Sequence, residues 1–270
     1  MRSSVLVSAA TAALSVSAQA QVTRIGSAND AAGLQGLVDQ YRADLGQLNP
    51  NEPGSVGSGR RQINWDAAPD AVSAPNDFAG DFFNAGFSPR ARGVEFTTPG
   101  SGFQLSATAS SGQGERFANI NPAYADMFGT FSPERLFTAI DSNVVEVEFF
   151  VPGTDQRATT TGFGAVFTDV DLDDSTFIEY FDVDGNSLGK FFAEPGLAEN
   201  ASLSFVGVSF AEAIISKVRI QSGNSALGGL EGGGIDLIVM DDFIFGEPVP
   251  GPGVAAIASV GLIVGARRRR

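Results

Sequence analysis

The residues best placed to do chemistry are acidic. Asp169, Asp171, Asp173 and Asp174 follow one another after an apolar run, and Asp182 and Asp184 come shortly afterwards. Alternate residues at a strand end project to the same side, so Asp169, Asp171 and Asp173 can converge. Hard carboxylate oxygens gathered in this way suit Ca²⁺, which takes six to eight oxygens at about 2.3–2.6 Å. Calcium is therefore the cofactor expected, with Asp169, Asp171, Asp173, Asp182 and Asp184 as candidate ligands. An EF-hand is excluded, because counting from Asp182 places Gly185 fourth and Ala193 in the position of the closing glutamate. The competing explanation is that these Asp residues form turns through local hydrogen bonds.

Other chemistry is curtailed by composition. The chain has no His and no Cys. This removes the commonest general base, thiolate nucleophiles, thiolate metal sites and disulfides. Glycoside hydrolysis needs only two facing carboxyl groups about 5–9.5 Å apart. Among 31 acidic residues such a pair arises by accident, so no catalytic residue is assigned. Glu146 and Glu148 alternate with Val145, Val147 and Phe149, as the solvated face of a strand does. Trp65, flanked by Asn64 and Asp66, and Tyr180 are the candidate aromatic platforms for a polysaccharide ligand.

The elements that must position these residues read as strands. From Ile63 onward, short β-branched and aromatic runs are punctuated by Gly, Pro, Asn and Asp. Nine strands are expected, at residues 94–97, 103–107, 144–151, 162–170, 176–181, 188–192, 202–210, 217–222 and 235–245. Asp184-Gly185-Asn186 marks a hairpin tip. With no helical segments between strands, pairing is expected to be antiparallel. The fold class is thus all-β, an antiparallel β-sandwich. One short N-terminal amphipathic helix precedes it, built on Leu34, Leu37, Val38, Tyr41, Leu45 and Leu48, with Asn29 or Ser27 as its cap. The Gly-, Ser- and Pro-containing stretch to Gly59 reads as a flexible linker. Asp241 and Asp242 interrupt the last apolar strand, so one of them points inward unless a bulge intervenes. The body is similar in style to jelly-roll domains of bacterial surface proteins. That likeness implies a sugar-binding role and makes Asp242 a candidate structural calcium ligand.

Both ends read as processing segments. Met1-Arg2, an apolar stretch from Val5 to Ala18, and Ala18-Gln19-Ala20 have the layout of a signal peptide, with signal peptidase cleaving after Ala20. At the other end stand Pro250-Gly251-Pro252, a fourteen-residue run from Gly253 to Ala266, and Arg267, Arg268, Arg269 and Arg270. As a helix this run reaches about 21 Å, short of the roughly 30 Å hydrocarbon core, and the terminal arginines would stay cytoplasmic. The tail resembles the PEP-CTERM sorting signal of Gram-negative bacteria, with Gly251 where that family usually has Glu. The resemblance implies processing by an exosortase-like membrane peptidase and association with extracellular polysaccharide. Four segments follow: signal peptide 1–20, helix and linker 21–59, β-sandwich 60–247, and sorting or membrane segment 248–270.

The charge agrees with an extracytoplasmic, non-nucleic-acid role. The formal net charge is −14, and without Arg2 and Arg267 to Arg270 the remaining 12 basic residues face 31 acidic ones, a net of −19. Such a body repels nucleic acid and attracts cations. The expected function is a non-catalytic cell-surface or matrix protein that binds polysaccharide or another surface component. The alternatives are a secreted carbohydrate-active enzyme using an Asp/Glu pair, and a calcium-dependent structural adhesin.

Overall fold

The computed structural model describes residues 20–198 and 200–251. The apolar parts of both terminal segments, Pro252 and Arg267 to Arg270 lie outside the described residues. The strands are β1 (Gln21–Ala28), β2 (Arg60–Ile63), β3 (Val94–Thr97), β4 (Gly102–Leu105), β5 (Phe137–Ile140), β6 (Val144–Phe149) and β7 (Ala158–Thr159), then β8 (Gly162–Thr168), β9 (Phe177–Phe181), β10 (Ser187–Phe192), β11 (Leu203–Phe210), β12 (Lys217–Gln221), β13 (Val239–Gly246) and β14 (Val249–Pro250). Helix α1 spans Ala31–Leu45.

Two antiparallel sheets face each other. One runs β1-β11-β8-β13-β5-β4, with β2 also on β13, and the other runs β10-β9-β12-β6-β3. Their central strands, β5-β13-β8-β11 over β6-β12-β9-β10, follow a jelly-roll-like order, in which the chain passes repeatedly from one sheet to the other. The strand β5, absent from the sequence expectation, is the first strand of that pattern.

The two sheets differ in covering, and the difference is written in their side chains. In β6 and β12 buried and half-buried residues alternate, because one face meets the core and the other meets solvent. In β8, β11 and β13 every residue is buried. Their inner faces supply Phe163, Phe167, Phe243 and Phe245 to the inter-sheet core. Their outer faces are covered by α1, whose Leu34, Val38, Tyr41 and Leu45 pack on Val166, Phe205 and Ile244. Tyr41 lies over the paired Gly164 and Gly207 and donates its hydroxyl to Val208 O at 3.0 Å. A Cβ at Gly164 would sit 2.8 Å from the Tyr41 ring, so the close approach of helix to sheet requires glycine there.

Three expectations for the N-terminal region change. Asp30, rather than Asn29 or Ser27, caps α1, accepting from Gly33 N at 2.8 Å with the extended backbone that a cap needs. Replacing Asp30 with Ala is expected to lower stability by about 1 kcal/mol, read as a drop in the thermal midpoint. The residues before the helix form β1, which pairs with β11 along its whole length, from Gln21↔Phe210 to Ala28↔Leu203. The stretch read as a flexible linker is bonded to the sandwich at several points. Arg60 N donates to Gln47 O, Gly54 N to Pro152 O, and Val56 N to the Glu247 carboxylate. Backbone amides satisfied by distant segments hold a Gly-rich stretch in place despite its composition.

Candidate metal centre

The chain makes a sharp turn where β8 ends. Asp169, the next residue, has φ 74 and is fully buried. One carboxylate oxygen accepts from Ala201 N at 3.0 Å, and the other, Oδ2, has no hydrogen-bond partner. Burial, together with the charges of Glu231, Asp171 and Asp236, pushes its pKa up to about 8. A buried carboxylate oxygen in that state needs a proton or a cation.

Three acidic residues that could hold a cation gather beside it. One oxygen from each of Asp171, Glu231 and Asp236 lies within 4.8 Å of the others. Oxygens on opposite sides of a Ca²⁺ ion are about 4.6–5.2 Å apart, so this spacing fits a shared ion. Asp236 is buried and oriented by Asp171 N and Leu172 N, each at 3.3 Å, and by the Ser175 hydroxyl. Its own N–H donates to Asn224 Oδ1 at 2.9 Å. Glu231 accepts from Leu237 N at 2.7 Å. Burial and the neighbouring Asp171 and Asp236 charges push Glu231 up to about 7, and burial raises Asp236. The centre opens onto a surface cavity of about 410 Å³, lined in part by Asp171, Asn200 and Glu231.

The six Asp residues expected to share calcium are divided among separate places. Asp169 and Asp171 belong to the centre just described. Asp173 stands exposed on the same loop and is not one of the converging residues. Asp182 and Asp184 lie beyond the other end of β9, which at about 3.3 Å per residue is on the order of 15 Å away. There Asp182 accepts from Asp184 N and Asn186 N, each at 2.9 Å, and organises the hairpin turn. Asp242 is likewise removed from the calcium set. The β13–β8 register shifts between Met240 and Phe243, so a bulge buries both Asp241 and Asp242. Asp242 accepts from the Ser132 hydroxyl at 2.8 Å and pairs with Arg42 at 3.1 Å, while Asp241 accepts from Phe131 N at 2.7 Å. One guanidinium thus faces two adjacent buried carboxylates, and burial raises the pKa of both.

Glu231 and Asp236 were missed from sequence because they flank the Gly232-Gly233-Gly234 run, which reads only as a loop. The available signal was the presence of two acidic residues within a stretch otherwise rich in glycine.

The aromatic platforms also need correction. Trp65 is 1% exposed, stacks on Phe137 at 4.3 Å with the ring planes 9° apart, and donates its indole N–H to Asp241 O at 2.7 Å. Tyr180 is fully buried and donates to Phe163 O at 2.9 Å. Both are core residues rather than exposed platforms; Tyr180 is enclosed, and Trp65 reaches open space only where it borders a small cavity. Glu146, on the open face of the second sheet, is paired with Arg219 at 3.0 Å as a solvated ion pair. Among the described residues no helix is long and apolar enough to cross a membrane. No family model matches the chain, and no curated protein matches it.

Proposed function

We propose that this chain is an exported, non-catalytic β-sandwich of the cell surface or extracellular matrix, that it holds calcium at Asp171, Glu231 and Asp236, and that it binds polysaccharide or another surface component. The observation that carries the calcium part is the convergence of three carboxylates beside the unpartnered oxygen of buried Asp169.

Export and sorting rest on the sequence of the two ends, and the described ladders are compatible with them: β1 starts at Gln21, after the expected cleavage point Ala20, and among the described residues the last strand pairing is at Pro250. Signal peptidase acting after Ala20 and an exosortase-like peptidase acting beyond Gly251 would leave every ladder intact. The inner-membrane stage belongs to the tail, outside the described residues.

Calorimetric titration of the purified chain with calcium tests the centre. One binding event is expected, weakened at least tenfold in the double variant Asp171→Asn/Glu231→Gln. Absence of heat in the unaltered protein would overturn the metal assignment. Intact mass of the protein from its native host tests sorting. A form starting at Gln21 and ending near Pro250 to Pro252 supports it, and a membrane-bound form retaining Arg270 defeats it.

A further inference from the structure

A second cavity, of about 160 Å³, is bordered by Trp65, Phe82, Phe83, Pro89, Arg90 and Arg92. A space of this size takes one six-membered ring, since a cavity of about 150 Å³ holds benzene. Its walls are aromatic and proline surfaces, which pack against the flat face of a ring.

The charge at this cavity is unusual for the molecule. Among the described residues three arginines are buried, namely Arg61, Arg92 and Arg135. Arg61 is paired with Glu247 and Arg135 with Asp70. Among the described residues Arg92 has no carboxylate partner. It is 8% exposed, its Nε and Nη1 are sealed from solvent without hydrogen-bond partners, and its guanidinium lies 4.4 Å from the Phe83 ring centre. Arg90, half-buried beside it, stacks 3.6 Å over Phe82 and donates Nε to Phe82 O. A ring contact neutralises no charge, and a buried cation without a counter-ion is unfavourable. In a chain with 31 acidic residues an internal carboxylate was readily available, yet this guanidinium has none.

We propose that the cavity is a binding site for a carboxylate carried on a six-membered ring, with Arg92 supplying the counter-charge, Arg90 the second guanidinium, and Trp65, Phe82 and Phe83 the ring contacts. The ring is that of an acidic sugar or an aryl acid, two sources that share this chemistry. The site has no residue in common with the calcium centre, so the two assignments fail independently.

Trp65 is the sole tryptophan, so its emission reports directly on the cavity. The full chain would be titrated with D-glucuronate and with benzoate, each beside its uncharged counterpart, D-glucose and benzyl alcohol. At least one acid is expected to give a saturable change in emission, to bind about tenfold more tightly than its neutral counterpart, and to lose about tenfold in Arg92→Met. The tighter acid identifies the source. No saturable change with either acid, equal binding of the acid and its neutral analogue, or undiminished affinity in Arg92→Met would overturn the assignment. Should Arg92→Met fail to fold, the comparison of acid with neutral ligand in the unaltered protein still decides.

Discussion

Raising the pH from 5 to 8 is expected to destabilise the calcium-free protein by several kcal/mol, and saturating calcium to offset part of that loss. Burial holds Asp169 at about 8 and Glu231 at about 7, while in the unfolded chain such groups titrate near 4. Between those limits the folded protein binds more protons than the unfolded one. The contribution to stability is therefore complete below about pH 4 and is lost as pH rises through 7 to 8. Calcium requires the ionised carboxylates and displaces their protons, so its grip tightens over the same interval. At a hundred times its dissociation constant it adds about 2.7 kcal/mol. Urea denaturation at both pH values, in chelator and in calcium, measures the four stabilities. A flat profile in chelator would show that the carboxylates are not held in a water-poor cluster. A slope left unchanged by calcium would remove the metal from the account.

Replacing Glu247 with Ala is expected to lower stability by about 3–5 kcal/mol, because it strands a buried guanidinium. Glu247 accepts from Arg61 Nε at 2.7 Å and Nη2 at 2.9 Å, from Asn49 Nδ2 at 2.9 Å and from Val56 N at 3.1 Å. Arg61, fully buried, also donates to the backbone oxygens of Glu52, Gly54 and Ala91. This pair ties the 46–59 stretch to β2 and β13. The double variant Arg61→Met/Glu247→Leu should recover much of the loss, since an apolar pair leaves no uncompensated charge. Denaturant midpoints for Arg61→Met, Glu247→Leu and the double variant complete the cycle. Additive losses would show that the carboxylate and guanidinium do not stabilise one another.

Local pattern made most strands legible. β3 coincides with its expected bounds, and the alternation of Val145, Val147 and Phe149 with glutamates reported which face of β6 is buried. β1 escaped because its sequence, QVTRIGSA, is mostly polar and small, and it owes its strand character to β11 on one side and to α1 packed against it. The stretch from Asn49-Pro50 to Gly59 was read as a flexible linker by composition, whereas Arg61 and Glu247, a buried ion pair, bond to it and anchor it. Trp65 was a plausible sugar platform by residue type, and five phenylalanine rings around it make it part of the core.

What the sequence determined by itself was local. Period-two alternation and turn residues set which segments are strands and which side of each faces inward, because those preferences act between neighbours along the chain. The same scale limits what could be read of the candidate sites. Asp171 was visible in its acidic run, but its companions Glu231 and Asp236 lie sixty and more residues away, brought beside it by the path from β8 to β13. Arg92 faces its aromatic cavity without a carboxylate only because of how loops pack over the sheet edge. Convergence of charges across long loops is a property of tertiary packing, since no local preference encodes which distant side chain will share, or leave empty, the same small volume.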